Sequence, residues 1–474
     1  MVGITSIGAY VPIYRISREE IARMWGGRSA DGEKAVAGCD EDSITMGVAA
    51  AFDGMQQGRV TPDGLFFATT TAPYKEKQSA AIIASAIDVN KECYTSDLTN
   101  SLRAGSIAVK SAMDAVKSGS LKNVMVIASD CRLGAAQSTF EQTLGDGSAS
   151  LMIGSEGVIA GIEDSYSIFY EFIDMWRTED DVFERGAEER FIDYAGYTPV
   201  LKEVISGIMK RNNLTPKDFS KVVFYAPEVR IHSSLAKSLG FDKAQVQDPL
   251  YTDIGNTGTA AAFIMLAAAL DSAVPGDRIL FATYGDGADA FVLKVTEDIH
   301  KVKNKKTLME GLKKTVPISY GKYAMWRGLV KVEASRLPER PPQSIQCLWR
   351  DKKSVLALYG ARCRNCGTPQ YPASGVCVVC HAKDNFEDYK FSDKKGKLFT
   401  FSVDQLQATL NPPGVNGVVD FDGGGRLICE LTDCDPARVE AGMPVEMTFR
   451  KLYQSKGINS YFWKAKPISE GKGF

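Results

Sequence analysis

Residues 145–153 read GDGSASLMI, and residues 285–293 read GDGADAFVL. Each copy begins with a Gly-Asp-Gly turn, continues through one or two small residues and ends in an apolar run typical of a buried strand. Two unrelated turns could use the same Gly-Asp-Gly sequence. However, each copy also follows a helical stretch and then a β-branched run. Because the order of these flanking elements repeats as well, the sequence favours an internal duplication.

Two helical stretches, residues 103–117 and 257–270, are rich in Ala, Ser and Gly and carry few charges. A helix that is apolar nearly all round is usually buried between layers of structure. Up to about residue 295, helical stretches alternate with short β-branched runs at residues 124–128, 221–225 and 278–283. This alternation predicts an α/β fold in which sheets lie on either side of two buried helices.

The composition narrows the class of protein. A chain of 474 residues with 44% hydrophobic and 24% charged residues is globular and long enough for two to four domains. Its net charge of −2 provides no general attraction for nucleic acid or anionic membrane. The longest apolar stretch, residues 260–270, is too short for a membrane span, and the N-terminus lacks the pattern of a secretory signal. We therefore expect a cytoplasmic protein that binds neither nucleic acid nor membrane.

Two C-x-x-C pairs separated by ten residues predict a metal site, formed by Cys363, Cys366, Cys377 and Cys380. Four thiolates on two tight turns can close a tetrahedron around zinc and leave no open coordination position. A redox role is less favoured because no βαβ pattern surrounds either pair. The remaining alternative is a set of four unligated cysteines. The pattern therefore favours a structural zinc ion.

The C-terminal region contains four β-type runs separated by Gly and Pro turns, at residues 398–403, 426–432, 444–451 and 459–464. Short strands of this kind suit a small barrel. The stretch LPERPP at residues 337–342 reads as an extended linker in front of the cysteine pairs.

Four motifs follow one another along the chain: CDEDSITM at residues 39–46, DLT at 97–99, IGNT at 254–257 and YGDG at 284–287. Together they resemble the motifs of 3-hydroxy-3-methylglutaryl-CoA synthase and, more broadly, of the thiolase and ketosynthase superfamily. Residues 320–329, with the sequence YGKYAMWRGL, are similar to the bacterial and archaeal branch of the synthase. Residues 345–470 resemble the zinc-ribbon and OB-fold domains that accompany thiolase-like enzymes and bind acyl-CoA.

The resemblance implies a duplicated five-layer αβαβα thiolase-like sandwich of the α/β class, followed by a zinc ribbon and a small OB-type β-barrel. The expected domains are the N-terminal half at residues 1–165, the C-terminal half at 166–335, the linker and zinc ribbon at 336–395, and the OB fold at 396–474. The resemblance also implies an acyl-CoA substrate and a homodimer, with further pathway enzymes as candidate partners.

The family's chemistry uses four residues, and this sequence departs from three of them. A cysteine at the start of the first buried helix accepts the acyl group, but Leu102 occupies that position. Tyr225 stands where a histidine helps to polarise the thioester, and Thr70 stands where a glutamate acts as general acid and base. The asparagine that polarises the thioester is retained as Asn256.

Leucine cannot form a thioester, so the sequence favours aldol or retro-aldol chemistry on an acyl-CoA without a covalent acyl-cysteine. The amide of Asn256 and backbone N–H groups from Gly285 to Gly287 would stabilise the thioester enolate. Tyr225 would act as base or acid, with Arg103 as the neighbouring cation. Some thiolase-fold steroid side-chain aldolases, which this chain resembles, lack the cysteine, use tyrosines and pair with a zinc-ribbon and OB-fold partner.

Tyr284 and Asp286 are second candidates for the proton transfer, although Asp286 could simply form the turn. Tyr225 could equally be a core aromatic residue, and Asn256 a helix N-cap. His232, on a predicted helix, is expected at the surface. Residues 166–197, rich in aromatic and acidic side chains, are the expected lid over the acyl pocket.

Two other functions remain open at this point. The first is a synthase or acyltransferase whose nucleophile has moved to Cys93 or Cys131, although both thiols are more simply explained as buried structural cysteines. The second is a non-catalytic subunit that binds acyl-CoA and passes it to a partner enzyme.

Overall fold

The computed structural model describes residues 1–58, 60–301, 308–333 and 341–468. The chain forms two compact units, and the main division falls after Leu329. The first unit comprises Met1–Gly38, Asp42–Ala84 and Val89–Leu329. The second comprises Val330–Phe474 together with the short segments Cys39–Glu41 and Ser85–Asp88. Residues 337–340 of the expected linker lie outside the described residues.

The first half of the first unit contains eight strands and five α-helices in the following order: β1 (Gly3–Tyr10), β2 (Tyr14–Ser17), α1 (Arg18–Trp25), β3 (Glu33–Val36), α2 (Ser43–Gly58), β4 (Gly64–Ala68), α3 (Ser79–Ala86), β5 (Tyr94–Leu98), α4 (Ala104–Ser118), β6 (Val124–Asp130), α5 (Thr139–Thr143), β7 (Gly147–Gly154) and β8 (Ala160–Phe169).

The rest of this unit continues with β9 (Met175–Trp176), β10 (Arg185–Gly186), α6 (Glu189–Phe191), α7 (Thr198–Arg211), β11 (Lys221–Phe224), α8 (Val229–Ser238), α9 (Tyr251–Ile254), α10 (Ala261–Ser272), β12 (Arg278–Tyr284), β13 (Gly287–Val295), α11 (Leu308–Leu312), β14 (Val316–Pro317) and α12 (Tyr320–Trp326). Shorter helical turns lie at Ile192–Tyr197, Pro216–Asp218, Gly258–Ala260 and Glu297–Lys301.

The main sheet confirms the predicted duplication. Its nine strands are ordered β11-β12-β13-β8-β1-β7-β6-β4-β5. In one half β6 is parallel to β4 and antiparallel to β7, and in the other β12 is parallel to β11 and antiparallel to β13. The two Gly-Asp-Gly turns precede the equivalent strands β7 and β13. The halves meet where β1 pairs with β8 over two residue pairs.

The helices complete the five layers. Helix α2 packs outside β1, β6 and β7, and α7 packs outside β8, β12 and β13. Helix α4 contacts β4 to β7, and α10 contacts strands of both halves, so these two helices form the central layer. Their small residues permit close packing, since a Cβ on Gly105 would lie 2.6 Å from the ring of Phe263. The two buried helices predicted from composition are therefore confirmed.

The second unit contains one α-helix and eight strands: α13 (Ile345–Leu356), β15 (Tyr359–Cys363), β16 (Pro369–Gln370), β17 (Phe386–Lys390), β18 (Lys395–Asp404), β19 (Gly414–Phe421), β20 (Arg426–Glu430), β21 (Pro444–Ser455) and β22 (Ile458–Pro467). A single helical turn lies at Pro436–Arg438.

Strands β15 to β17 form a three-stranded sheet, and β18 to β22 form a five-stranded sheet in the order β20-β19-β18-β21-β22. A bridge between Leu431 and Ala465 joins the two ends of the five-stranded sheet, as a small barrel requires. The sequence predicted four of these five strands. It missed β19, because the glycines and asparagine of GVNGVVDF weaken its β pattern.

Two further sequence expectations are modified. The expected border between residues 165 and 166 falls inside β8, so the first four residues of the proposed lid belong to the main sheet. His232 is buried rather than exposed, with its ring 4.2 Å from that of Phe224, and burial lowers its pKa to about 4. Among the described residues, no helix is long and apolar enough to cross a membrane.

Candidate active site

Leu102 lies at the start of the buried helix α4, where the family's acyl-accepting cysteine is expected. It is half-buried and packs against the turn between β12 and β13. A Cβ on Gly285 would approach the Cβ of Leu102 to 3.0 Å, and Ser101 Oγ donates a hydrogen bond of 3.3 Å to the Gly285 carbonyl. The N-terminus of this helix therefore presents a hydrocarbon side chain where a thiolate would benefit from the helix dipole.

Tyr225, Asn256 and Arg132 form a chain of buried hydrogen bonds. Asn256 Nδ2 donates to Tyr225 Oη over 2.7 Å, and Arg132 Nη2 donates to Asn256 Oδ1 over 3.0 Å. The three residues come from three places: the end of β11, the approach to α10 and the segment after β6. The structure thus brings together the two thioester-polarising positions recognised in the sequence, and adds a cation that sequence reasoning missed.

The backbone around Asn256 fixes its side chain. Its N–H donates to the Thr143 carbonyl over 2.8 Å, and its own carbonyl accepts from the Gly145 N–H over 3.0 Å. Its Oδ1 also accepts from the Gly258 N–H over 3.1 Å. Asn256 therefore caps the turn that begins the second buried helix while its amide nitrogen contacts Tyr225.

Tyr225 keeps its proton at neutral pH. Burial raises the pKa of its phenol, whereas the charge of Arg132 and the hydrogen bond from Asn256 act in the opposite direction, with the net result still raised. The phenol oxygen accepts from Asn256, so its own O–H can be directed at a ligand. Tyr197 holds the backbone of this residue, since its hydroxyl donates to the Tyr225 carbonyl over 2.7 Å.

Arg103 does not serve as the cation for Tyr225. Its Nη1 donates to the Ile168 carbonyl over 3.0 Å and to Asp289 Oδ1 over 3.3 Å, so it braces α4 against β8 and β13. The cation whose charge acts on Tyr225 is Arg132. The position of Arg132 directly after a buried strand is visible in the sequence. Its neighbours in the sequence, however, do not indicate which groups its side chain contacts.

The turn between β12 and β13 is also arranged differently from our expectation. The Gly285 N–H donates to the Gly287 carbonyl over 2.9 Å, so it is already engaged and cannot serve as an enolate donor without rearrangement. Asp286 is exposed and adopts a left-handed φ of 48°, which fits its alternative role as a turn residue.

Tyr284 lies beside this turn and stacks on Tyr225, with 6.3 Å between ring centroids. Its hydroxyl is hydrogen-bonded to the carboxylate of Asp174. Burial raises the pKa of Tyr284, and the neighbouring Asp174 charge raises it further. Burial also raises the pKa of Asp174. Asp174 belongs to the segment expected as a lid, and the sequence did not single it out.

Thr70, at the family's glutamate position, lies at the end of β4. Its N–H donates to Asp130 Oδ1 over 2.7 Å, and its carbonyl accepts from Arg177 Nη2. The other oxygen of Asp130 accepts from the Thr259 N–H over 2.8 Å. A threonine cannot replace a carboxylate as a general base at neutral pH, so this position lacks the family's proton carrier.

Arg327, from the segment that resembles the bacterial and archaeal synthases, fixes the backbone that carries Arg132. Its Nη2 donates to the carbonyls of Cys131 and Arg132, each over 3.1 Å, and its Nη1 forms a 3.2 Å ion pair with Asp146. Its Nη1 also donates to Cys131 Sγ over 2.7 Å. This buried cation thereby determines where the chain turns after β6.

The two cysteines considered as relocated nucleophiles have unfavourable surroundings. Burial raises the pKa of Cys131 to about 12 and that of Cys93 to about 11. Cys93 precedes β5 and Leu102 follows it. A five-residue strand is about 16 Å long, and this length separates the Cys93 thiol from the start of α4.

The second unit contains a separate cluster formed by Cys363, Cys366, Cys377 and Cys380, whose Sγ atoms all lie within 4.8 Å of one another. The Sγ atoms of Cys363 and Cys380 are 3.6 Å apart, and those of Cys366 and Cys377 are 3.5 Å apart. Four thiolates around zinc at a Zn–S distance of about 2.3 Å would be about 3.8 Å apart. The spacing and the donor set therefore fit a tetrahedral zinc ion.

Three family models match parts of the chain. The model described as 3-oxoacyl-[acyl-carrier-protein (ACP)] synthase III C terminal matches residues 209–295. The ChsH2 rubredoxin-like zinc ribbon domain matches residues 350–387, and the ChsH2 C-terminal OB-fold domain matches residues 389–450.

Curated relatives match about 70% of the length of the chain. The chain is 35% identical over 345 residues to a hydroxymethylglutaryl-CoA synthase of Methanopyrus kandleri, which covers 70% of this chain and 98% of the relative. It is 37% identical over 344 residues to the corresponding synthase of Aeropyrum pernix, covering 70% and 95%.

Solved structures confirm the fold. A crystal structure of HMG-CoA synthase complexed with CoA aligns with a TM-score of 0.61 and 19% identity, covering 68% of this chain and 89% of that one. The 3-oxoacyl-[acyl-carrier-protein] synthase III of Aquifex aeolicus aligns with a TM-score of 0.56 and 21% identity, covering 62% and 100%. The duplicated sheet, the buried helices and these relatives agree: the chain belongs to the hydroxymethylglutaryl-CoA synthase family of thiolase-superfamily enzymes, extended by a zinc ribbon and an OB fold.

Proposed function

We propose that this enzyme makes or breaks a carbon–carbon bond of an acyl-CoA thioester by aldol or retro-aldol chemistry, without a covalent acyl-cysteine. One observation carries the proposal. Leu102 occupies the start of α4, whereas Tyr225, Asn256 and Arg132 form a hydrogen-bonded group at the positions that polarise the thioester. The acyl-transfer step is lost and the enolate-stabilising groups remain.

The hydrogen-bonded chain suits an enolate. In the cleavage direction, the β-hydroxyl loses its proton, the Cα–Cβ bond breaks and negative charge develops on the thioester oxygen. Tyr225 would donate its O–H to that oxygen, and Asn256 and Arg132 would strengthen this donor by polarising the phenol. Asn256 Nδ2 carries a second hydrogen that could also reach the thioester. A protonated Tyr225 therefore acts as hydrogen-bond donor and acid rather than as the resting base.

The substrate class follows from the family. The related HMG-CoA synthase structure is a complex with CoA, and the related synthases are named for a CoA thioester. A CoA thioester also has the acidic Cα–H that enolate chemistry requires.

The proposed assembly is a homodimer. Strand β5 lies at one end of the main sheet, beside β4, and Tyr94 on it is exposed. An edge strand can pair with another chain, and a two-fold axis would bring the same strand of a second copy against it.

A cysteine placed at position 102 should recover acyl acceptance. Wild-type protein incubated with acetyl-CoA is expected to keep its mass, whereas Leu102→Cys should gain one acetyl group, because the N-terminus of α4 favours the thiolate. Ile107→Cys, further along the same helix, is the matched control and should stay unmodified. Intact-protein mass spectrometry with peptide mapping measures the outcome. An acetyl group on Cys93 or Cys131 of the wild type would contradict the proposal and favour a relocated nucleophile.

Removal of the Tyr225 hydroxyl should abolish most of the turnover. Tyr225→Phe keeps the ring but loses the donor, so kcat for a cleaved β-hydroxyacyl-CoA should fall about 100-fold or more, as for loss of an oxyanion-hole donor. Tyr166→Phe, a half-buried tyrosine on β8, should retain wild-type kcat. Turnover is followed by chromatography of the CoA esters over a panel of β-hydroxyacyl-CoA substrates. Equal kcat for wild type and Tyr225→Phe would remove Tyr225 from the mechanism.

We also propose that the four clustered cysteines hold one structural zinc ion, which would fix the two turns of the ribbon. Purified protein should then contain about one zinc per chain, and Cys363→Ser should lose zinc and lower the unfolding temperature of the ribbon. Cys347→Ser, which alters an exposed cysteine outside the cluster, is the control and should retain the metal. Elemental analysis together with thermal unfolding tests this. Full zinc occupancy in Cys363→Ser would show that these thiolates are not the ligands.

A further inference from the structure

Retro-aldol cleavage needs a base for the β-hydroxyl proton, and neither Tyr225 nor Thr70 can supply one. Tyr225 holds its own proton, and Thr70 occupies the family's carboxylate position. We propose that Glu184, from the segment between β8 and α7, is the base that replaces the missing glutamate. This inference rests on the proposed aldol function and assigns the group that completes it.

Glu184 is held against the same stretch of backbone that carries Arg132. Its N–H donates to the Leu133 carbonyl over 2.9 Å, so the residue is anchored one position beyond Arg132. Its side chain is only 7% exposed. A carboxylate in this position is largely removed from bulk water, and the charge of Arg132 acts on it.

Arg177 connects Glu184 with the position of the missing glutamate. Its Nη1 lies 3.9 Å from Glu184 Oε1, and its Nη2 donates to the carbonyl of Thr70. One guanidinium thus spans from the end of β4 to the carboxylate of Glu184. The carboxylate is supplied by a different segment of the chain, and Arg177 links it to the carbonyl of Thr70.

The carboxylate of Glu184 is available for chemistry. Among the residues that the structure describes, its only polar side-chain contact is the long ion pair with Arg177. Asp174, the other buried carboxylate of this segment, accepts a hydrogen bond of 2.5 Å from the Met175 N–H and another from the Tyr284 hydroxyl. The oxygens of Asp174 are therefore engaged, whereas those of Glu184 can accept a proton from a ligand.

The electrostatics are consistent with this role. Burial raises the pKa of Glu184, the charges of Arg132 and Arg177 lower it, and Asp130 raises it, with a net increase. A carboxylate with a raised pKa is a stronger base once ionised. The two arginines stabilise the ionised form without donating hydrogen bonds that would occupy its oxygens.

In the proposed step one carboxylate first accepts and then returns a proton. The Glu184 carboxylate takes the β-hydroxyl proton, and the electron pair left on the hydroxyl oxygen forms the C=O bond of the leaving aldehyde or ketone. The Cα–Cβ bond breaks, and its electron pair moves into the thioester enolate. Tyr225 donates its hydrogen bond to the enolate oxygen. The Glu184 carboxylic acid then returns the proton to Cα, which releases the shortened acyl-CoA and regenerates the carboxylate.

The test compares Glu184→Gln, Glu184→Asp and Glu203→Gln in the full chain. Glu203 is an exposed carboxylate on α7, outside the site and the proposed lid, so its variant should match wild type. Glu184→Gln should lower kcat about 100-fold or more, in the range of lost general-base catalysis. It should also remove the rise of kcat with pH on the acidic side, because no group is left to ionise. Glu184→Asp should retain part of the activity and keep a pH-dependent acidic limb.

Thermal unfolding and acyl-CoA binding separate a folding defect from a chemical one, since Glu184→Gln should match wild type in both. If wild type is active, Tyr225→Phe is impaired and Glu184→Gln keeps both its kcat and its acidic limb, this inference alone is overturned. A wild type that cleaves no member of the β-hydroxyacyl-CoA panel overturns the proposed function and the assignment of Glu184 with it.

Discussion

The buried guanidinium of Arg132 organises the site. A charge removed from water is costly unless it is paired and hydrogen-bonded, so its surroundings must satisfy it. It donates to Asn256, its charge acts on Tyr225 and Glu184, and Arg327 holds its backbone. Arg132 follows β6 in the first half of the duplicated fold, whereas all of these partners lie beyond residue 165. The position of one cation therefore sets the distances between groups that lie far apart in the sequence.

In the proposed function, the fold assigns its chemical steps to different residues from those of a cysteine-dependent synthase. In the family's usual chemistry, the first buried helix activates a nucleophile and the second half supplies the groups that polarise a thioester. Leu102 cannot act as that nucleophile. Asn256 is retained, and Tyr225 has an O–H where the family has an imidazole. In the proposed mechanism, Glu184 from the segment between β8 and α7 supplies the base. The proposed function thus omits one covalent step of the family and keeps its enolate chemistry.

Much of the architecture could be predicted because it is encoded locally. Small-residue helices, the repeated Gly-Asp-Gly turns and the paired cysteines are patterns within short windows, and all three predictions agree with the structure. The site was only partly predictable. The sequence predicts Arg103 as the cation beside Tyr225, but in the structure Arg103 forms an ion pair with Asp289. Arg132 and Glu184 are brought close to each other only by the tertiary structure, and the periodicity of a sequence does not reveal such proximity.

Hydrogen exchange at Cα tests the central claim most directly. The protein is incubated in D2O with the CoA thioester that its cleavage reaction releases, and the thioester is followed by NMR together with free CoA. Enolate chemistry without an acyl-enzyme predicts that deuterium enters Cα while no burst of CoA appears. A burst of CoA equal to the enzyme concentration, with Cα still protonated, would mean that the acyl group is transferred to the protein and would contradict the account.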